Sequence, residues 1–240
     1  MVDLSKMTKW DLGKCFDYSV LPKNSRQEDI IKGCQEAKKY NCAAFYAATN
    51  YWVPTMVREL EGTDILVGVG LDFPFGVSTA YMKGKETEEA VKLGATALDM
   101  VMNIGALRSG LYDDVKEQLR VFKEAAQGNV TKCILEVNFL TDDEIKRAAT
   151  YVAEAGIDYV KTSSGQFDGP SMEQFLIMKN AVEGSATKSK VAGVKFPRPQ
   201  NAYAFLMAGA DLIGTRAAPE IINALDTMRA IGMVPPYKGE

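Results

Sequence analysis

The stretch AGIDYVK at residues 155–161 indicates the fold of this chain, because a glycine stands directly before a short apolar strand. Glycine readily adopts the left-handed conformation that ends a helix and turns the chain into the next strand. The same arrangement recurs in LGATALD at residues 93–99 and in AGADLIG at residues 208–214. Three such units predict a repeating β/α architecture.

Alternating strand and helix patterns fill the rest of the chain. Further strands are predicted at residues 15–21, 43–48, 65–70, 131–137 and 191–195, and helices at 6–12, 25–40, 53–60, 78–93, 141–155 and 219–231. Capping boxes at Ser25, Thr141 and Ser171 mark three helix starts. Eight alternating units with short linkers predict parallel strands and right-handed crossovers. The predicted fold is therefore an α/β TIM (β/α)8 barrel with a short N-terminal extra helix.

An open, doubly wound sheet is the alternative architecture. It would need a glycine-rich turn after the first strand to bind a nucleotide, and SVLP at residues 19–22 is not such a turn. A barrel of this length commonly forms one core, so we expect residues 1–240 to form a single domain.

Composition narrows the class of partner. The net charge is −3 with 25% charged residues, which gives no reason to expect nucleic acid or an acidic membrane as partner. A small molecule is the expected partner, and assembly into a homo-oligomer is compatible with the sequence. No segment approaches the roughly 20 apolar residues of a membrane span, and residues 1–14 do not resemble a signal peptide. These features predict a soluble, cytoplasmic protein.

The chain has no histidine and four scattered cysteines without a CxxC pair. The absence of histidine removes the usual general base and the commonest metal ligand. The cysteine spacing argues against a zinc site and a disulfide framework, and reduced core thiols are the expected alternative. Neither a metal nor a cofactor is expected, so catalysis would depend on carboxylates, lysines, tyrosines or hydroxyls.

Charged residues at strand ends suggest the chemistry. Lys161 ends a predicted buried strand, and alternation with Leu98 and Met100 turns Asp99 toward the barrel interior. Lys195 is predicted to end the neighbouring strand, where burial and a second ammonium group lower a lysine pKa. A neutral lysine is a nucleophile for carbonyl chemistry through a Schiff base, such as an aldol reaction. Buried ion pairs without a chemical role are the alternative.

Three motifs in this order resemble the deoxyribose-phosphate aldolase family, which are class I aldolases on a TIM barrel: LDMVMNIGALRSG at 98–110, YVKTSSG at 159–165 and GVK at 193–195. The resemblance extends over about residues 11–222. It implies that Lys161 forms the Schiff base and that Lys195 lowers its pKa and relays protons. It further implies that Asp99 is the acid/base partner, acting through a water.

The resemblance also implies a substrate site. Asp17 and Ser19 match the family's Asp-His-Thr, with Tyr18 in place of the histidine, and Ser164 and Gly165 are retained at the phosphate end. FPFG at residues 73–76 is similar to the family's Phe-Pro-Leu-Gly turn. Many members of the family carry a cysteine near the position of Tyr46. Because this chain has a tyrosine there, no thiol role is inferred.

Two departures lie where the family binds phosphate. FPRP at residues 196–199 stands where the family's glycine turn is expected, and Arg216-Ala217 replaces a serine pair. Proline cannot supply the N–H groups of an anion-binding nest. Either Arg198 and Arg216 bind an anion with their guanidinium groups, or the substrate lacks phosphate and these arginines serve structure or an interface.

The sequence therefore predicts a class I aldolase that reversibly cleaves a sugar phosphate or related sugar to give a small aldehyde. One alternative is a lyase or transferase of the same superfamily that acts on another keto-sugar or sugar acid. A second is a non-catalytic, sugar-binding barrel. Lys161→Ala separates the enzymes from the binding protein, because only the enzymes would lose turnover.

Overall fold

Eight parallel strands close into a barrel in their order along the chain, in a computed structural model that describes residues 2–239. The strands are β1 (Phe16–Val20), β2 (Ala44–Ala47), β3 (Leu66–Leu71), β4 (Ala97–Val101), β5 (Val130–Ile134), β6 (Tyr159–Lys161), β7 (Lys188–Ala192) and β8 (Leu212–Thr215). The TIM-barrel prediction is confirmed, including the extra N-terminal helix.

The helices surround the barrel, with 3-10 turns at Asn50–Trp52 and Val137–Phe139. They are α1 (Lys9–Gly13), α2 (Gln27–Lys39), α3 (Val53–Leu60), α4 (Ala80–Leu93), α5 (Ile104–Arg108), α6 (Tyr112–Ala125), α7 (Asp142–Glu154), α8 (Met172–Ala181), α9 (Pro199–Met207), α10 (Ala218–Asn223) and α11 (Leu225–Ala230). The single helix predicted at 219–231 is thus divided into α10 and α11. No helix within residues 2–239 is both long and apolar enough to span a bilayer.

Local signals set most element boundaries. Gly94, Gly156 and Gly209 all have positive φ, as the repeated glycine units predicted. The capping boxes at Thr141 and Ser171 are present. The box predicted at Ser25 is wrong, because the Ser25 hydroxyl donates to the Pro22 carbonyl. Arg26 is the N-cap of α2 instead, and its N–H donates to the Asp29 carboxylate at 2.8 Å.

Inward and outward side chains of the barrel differ in character. Apolar side chains such as Leu98 and Met100 on β4 belong to the core between strands and helices. Small residues face inward on three neighbouring strands, at Ala44 on β2, Gly68 and Gly70 on β3, and Ala97 on β4. They leave room inside the barrel for long polar side chains from the other strands.

Candidate active site

A cavity of ≈ 590 Å³ opens at the carboxyl ends of the strands, where barrel enzymes place their chemistry. Among the residues that line it are Ser19, Asp99, Lys161, Ser164 and Arg216. All five are candidates from the sequence. The barrel therefore brings residues from distant parts of the chain to a single cavity.

Lys161 and Asp99 form the pair that the sequence predicted. The Lys161 Nζ lies 2.7 Å from Asp99 Oδ2, and both side chains are buried. Lys161 ends β6, so its ammonium group reaches the floor of the cavity. An amine at this place can meet a bound carbonyl group.

The second lysine of the site is Lys190, and the predicted placement of Lys195 is wrong. Lys190 Nζ lies 2.8 Å from Asp99 Oδ2, with 1% of its side chain exposed. Lys195 Nζ instead pairs with Asp168 at 2.8 Å, and 67% of its side chain is exposed. Lys195 thus lies at the mouth of the cavity, away from Asp99.

The cause is the register of β7. This strand covers Lys188–Ala192 rather than the predicted residues 191–195, and it pairs Lys190 directly with Lys161 of β6. The apolar run that ends at Val194 suggested a later strand. Gly193, with φ 78°, ends the strand before that run is complete.

Three further side chains complete a buried charge network that sequence reasoning had not assembled. Lys132 Nζ on β5 lies 2.7 Å from Asp17 Oδ2 and 2.7 Å from the Tyr46 hydroxyl. The Tyr46 hydroxyl donates to Asp99 Oδ1 at 2.7 Å, and Lys190 reaches Asp17 Oδ2 at 2.6 Å. We call these side chains the charge network: Asp17, Tyr46, Asp99, Lys132, Lys161 and Lys190.

Asp17 was predicted to bind substrate, and the structure gives it a different setting. Its Oδ2 accepts from Lys132 and Lys190, and only 1% of the residue is exposed. Although Asp17 contributes to the cavity wall, its charge is compensated inside the barrel. Its position therefore favours an electrostatic contribution over direct binding.

The two lysines that contact Asp99 differ in pKa. Burial lowers the pKa of Lys161 from 10.5 to about 8, opposed by Asp99 and assisted by Lys190. Burial also acts to lower the pKa of Lys190, but Asp17 and Asp99 outweigh it, and the net pKa is raised. Lys161 is therefore the amine that can lose its proton, and Lys190 keeps its charge.

Asp99 stays ionised within this arrangement. Burial alone would raise the pKa of its carboxyl, but Lys161 and Lys190 lower it well below the ordinary range. Burial raises the pKa of the Tyr46 hydroxyl well above 10, and the nearby carboxylates raise it further. Tyr46 is accordingly a neutral hydrogen-bond donor to a charged carboxylate.

Two glycine turns meet at the mouth of the cavity. Gly165 and Gly193 both have positive φ, and a side chain at residue 193 would lie 3.1 Å from the Gly165 nitrogen. Within residues 2–239, the N–H groups of Gly165, Gly193 and Val194 donate to no protein acceptor. The residues after Lys190 are Val191, Ala192, Gly193 and Val194, so a turn with one glycine lies earlier in the chain than residues 196–199, where the family's glycine turn was expected.

The Ser164 backbone is held in place by a buried carboxylate. Its N–H donates to the Glu136 carboxylate at 3.1 Å, and its hydroxyl accepts from the Gln166 N–H at 3.2 Å. Glu136 itself has positive φ and is buried. This buried contact fixes the turn that leads to Gly165.

The two candidate arginines lie in different settings. Arg216 follows β8 and lines the cavity mouth, with an exposed side chain. Arg198 is also exposed, but it precedes α9 and does not line the cavity. The structure therefore does not bring the two guanidinium groups together on the cavity wall.

One sequence signal could have found the missed lysines. Lys132 and Lys190 each stand between an outward-facing hydroxyl residue and an apolar residue, in TKC at 131–133 and SKV at 189–191. In a closed barrel, residues that alternate in this way face inward. Tyr46 carried a weaker signal, since only the register shows that Gly68 on β3 leaves space for its ring.

The chain matches known proteins over most of its length. A family model described as DeoC/LacD family aldolase matches residues 13–228. The chain is 36% identical over 213 residues to a deoxyribose-phosphate aldolase of Streptococcus sanguinis, which covers 88% of this chain and 96% of the relative. It is 37% identical over 222 residues to a deoxyribose-phosphate aldolase of Clostridium novyi, with coverage of 92% and 99%.

Solved structures share the same barrel. An aldolase named QR15 superposes with a TM-score of 0.84 and 29% identity, over 92% of this chain and 98% of that one. A tetrameric deoxyribose phosphate aldolase from Aeropyrum pernix gives a TM-score of 0.83 at 23% identity, over 92% and 93%. The second likeness shows the fold alone.

Proposed function

Because the chain belongs to the DeoC/LacD aldolase family, we propose that it is a class I aldolase in which Lys161 forms a Schiff base with a sugar phosphate. The observation that carries the proposal is the pair of lysines on Asp99, of which Lys161 alone has a pKa near 8. The relatives in bacteria are named for deoxyribose phosphate, and we propose this sugar as the substrate.

The cleavage would begin on the amine of Lys161. Neutral Nζ adds to the C1 aldehyde of the open-chain sugar, and one proton passed from Lys190 through Asp99 lets water leave and gives a protonated imine. The electron pair of the C2–C3 bond then moves toward the imine carbon, while the C3 hydroxyl gives up its proton. This step leaves a two-carbon enamine on Lys161 and a three-carbon aldehyde that carries the phosphate.

Asp99 and Lys190 would move the protons. Asp99 Oδ2 lies 2.7 Å from Lys161 Nζ and 2.8 Å from Lys190 Nζ, so a proton can pass between the carboxylate and either amine. Protonation of the enamine carbon and addition of water then release the two-carbon aldehyde and restore Lys161. The charge network thus places a carboxylate and an ammonium group beside the reacting amine.

The phosphate would bind at the mouth of the cavity. The free N–H groups of Gly165, Gly193 and Val194 can form an anion-binding nest, and Arg216 can supply a positive charge. Ser19 and Ser164 lie on the cavity wall between the charge network and the rim, where hydroxyls of the sugar can be bound. This arrangement favours a phosphorylated substrate over a neutral one.

Borohydride trapping tests the proposal. Wild-type protein incubated with acetaldehyde and reduced with sodium borohydride should carry an N-ethyl group on Lys161, located by peptide mass spectrometry. Lys161→Met should show no adduct, while Lys195→Met should be labelled like wild type. An unmodified Lys161 after reduction with acetaldehyde and with deoxyribose 5-phosphate would refute the imine mechanism.

A further inference from the structure

The Tyr46 side chain occupies an unusual place inside the barrel. It projects from β2 and is 4% exposed, and its hydroxyl lies 2.7 Å from both Asp99 Oδ1 and Lys132 Nζ. A lysine ammonium has only donors, so the hydroxyl accepts from Lys132 and must donate its own proton to Asp99. The direction of this hydrogen bond is therefore fixed.

Five members of the charge network form a closed ring of four hydrogen bonds and one ion pair. Going around the ring, each contact is between 2.6 and 2.8 Å long, and the order is Asp17, Lys132, Tyr46, Asp99, Lys190 and back to Asp17. Tyr46 is the only uncharged member. Without its hydroxyl the ring would open between Lys132 and Asp99.

The ring divides the two oxygens of the Asp99 carboxylate. Oδ1 accepts from Tyr46, whereas Oδ2 accepts from Lys161 and Lys190. A proton that Asp99 takes up during the reaction would meet the Tyr46 hydroxyl proton at Oδ1. Oδ2 faces the two amines, so a proton on Oδ2 lies beside the groups between which the reaction transfers protons.

The neighbouring strand is adapted to the Tyr46 ring. Gly68 on β3 pairs in register with Tyr46, and a Cβ added at Gly68 would lie 2.5 Å from the ring. The ring also lies 4.4 Å from Lys190 Nζ and 4.9 Å from Lys132 Nζ, distances at which an aromatic ring attracts a cation. Both the hydroxyl and the ring are therefore held in one orientation.

We propose that Tyr46 is a positioning residue, which orients Asp99 through Oδ1 and so directs proton transfer to Oδ2, beside Lys161 and Lys190. This inference rests on the proposed aldolase function. It concerns the steps after the imine has formed, because the attack of Lys161 on a carbonyl does not use Oδ1 of Asp99. Tyr46 thus affects proton transfer at carbon and leaves covalent capture intact.

Tyr46→Phe removes the hydroxyl and keeps the ring. With the full-length variant, the rate of hydrogen-deuterium exchange at C2 of acetaldehyde in D2O, followed by proton NMR, should fall about 10- to 100-fold. The kcat for deoxyribose 5-phosphate should fall by a similar factor, with KM within about threefold. Borohydride trapping on Lys161 should proceed at close to the wild-type rate.

Tyr203→Phe is the matched control. Tyr203 is another buried tyrosine, and its hydroxyl donates to the Ile221 carbonyl at 3.0 Å. Tyr203 itself does not line the cavity. Tyr203→Phe also removes a buried hydroxyl, which makes one hydrogen bond rather than two, but the exchange rate and kcat of this variant should stay within about twofold of wild type. A shared loss in both variants would assign the effect to general destabilisation and overturn the positioning role.

The outcomes separate the two proposals. Absence of trapping in wild type refutes the aldolase mechanism itself. Normal trapping and turnover in wild type, with unchanged exchange in Tyr46→Phe, refutes the role of Tyr46 alone, as does an equal loss of trapping and exchange. If Tyr46→Phe does not fold, Lys132→Met frees the Tyr46 hydroxyl to rotate and should lower exchange about three- to tenfold; unchanged exchange there overturns the inference.

Discussion

The charge network and the rim of the cavity follow different physical rules. In the network, charged side chains are almost fully buried, and each ammonium group touches a carboxylate at 2.6–2.8 Å. At the rim, defined here as Gly165, Gly193, Lys195 and Arg216, the charged side chains are exposed to water. Burial makes each charge in the network depend on its partners, whereas solvent screens each charge at the rim.

Lys190 and Lys195 give the sharpest test of this difference, because they are five positions apart and have opposite surroundings. Lys190→Met should lower kcat/KM about 10²- to 10⁴-fold, since it removes a charged proton donor from Asp99. Lys195→Met should change kcat/KM by less than about threefold, because its ion pair with Asp168 is exposed.

Steady-state kinetics on deoxyribose 5-phosphate measures both effects. Circular dichroism spectra of the two variants control for folding, since Met approximates the length of the lysine stem. Equal losses in the two variants would contradict the division between network and rim. A larger loss of kcat/KM in Lys195→Met would mean that Lys195 is the second lysine of the site, as the sequence predicted.

This pair also shows how much the sequence could predict. The barrel, most strands and the Asp99–Lys161 pair follow from local periodicity and from glycine at helix ends. The register of β7 does not, because AGV at 192–194 reads as a continuing strand and only the neighbour β6 fixes where Lys190 lies. Because the predicted start of β7 was too late in the chain, Lys195 instead of Lys190 was predicted to face the cavity.

Packing across strands explains what else was missed. Lys132 on β5 is far in sequence from Asp17 on β1 and Tyr46 on β2, and its contacts with them depend on the closed barrel. Inward-facing Gly68 on β3 leaves the space for the Tyr46 ring. Single-strand patterns identify inward positions, but they cannot say which side chains meet.

The pH dependence of imine formation should reveal the lowered pKa that Lys161 has within the charge network. Lys161 is protonated below its pKa and neutral above it, so its reactivity rises with pH through a pKa of about 8. Between pH 6 and pH 8 the neutral fraction rises from about 1% to about 50%, a roughly 50-fold increase. The initial rate of borohydride-trapped adduct formation, corrected for borohydride decay, measures it.

An ordinary lysine would show a different profile. Without burial, the rate would keep rising tenfold per pH unit to near pH 10.5. A plateau that begins near pH 8 therefore supports the buried setting of Lys161. A rate that rises without levelling below pH 10 would contradict it.

The rim should discriminate substrates by charge with smaller effects. Arg216→Ala should raise KM for deoxyribose 5-phosphate about five- to tenfold, because an exposed guanidinium contributes one screened, charge-assisted contact. KM for unphosphorylated deoxyribose should stay within about twofold. Steady-state kinetics with both sugars gives the comparison.

Arg198→Ala is the matched control for Arg216→Ala. Arg198 is equally exposed but does not line the cavity, so KM for both sugars should stay within about twofold of wild type. A rise in KM for the phosphorylated sugar in Arg198→Ala alone would place the anion elsewhere. A rise in both variants would mean that the arginines act together on one anion.

The smallest effect is expected at Asp168, whose carboxylate pairs with the exposed Lys195 at 2.8 Å. Asp168→Asn removes a negative charge near the mouth and releases Lys195, so a phosphorylated substrate should meet a more positive rim. KM for deoxyribose 5-phosphate should fall about twofold at low ionic strength, and the difference should vanish in high salt because exposed charges are screened. A decrease in KM that persists in high salt would mean that Lys195 contacts the phosphate directly. The rim would then make short contacts that solvent does not screen, like those of the charge network.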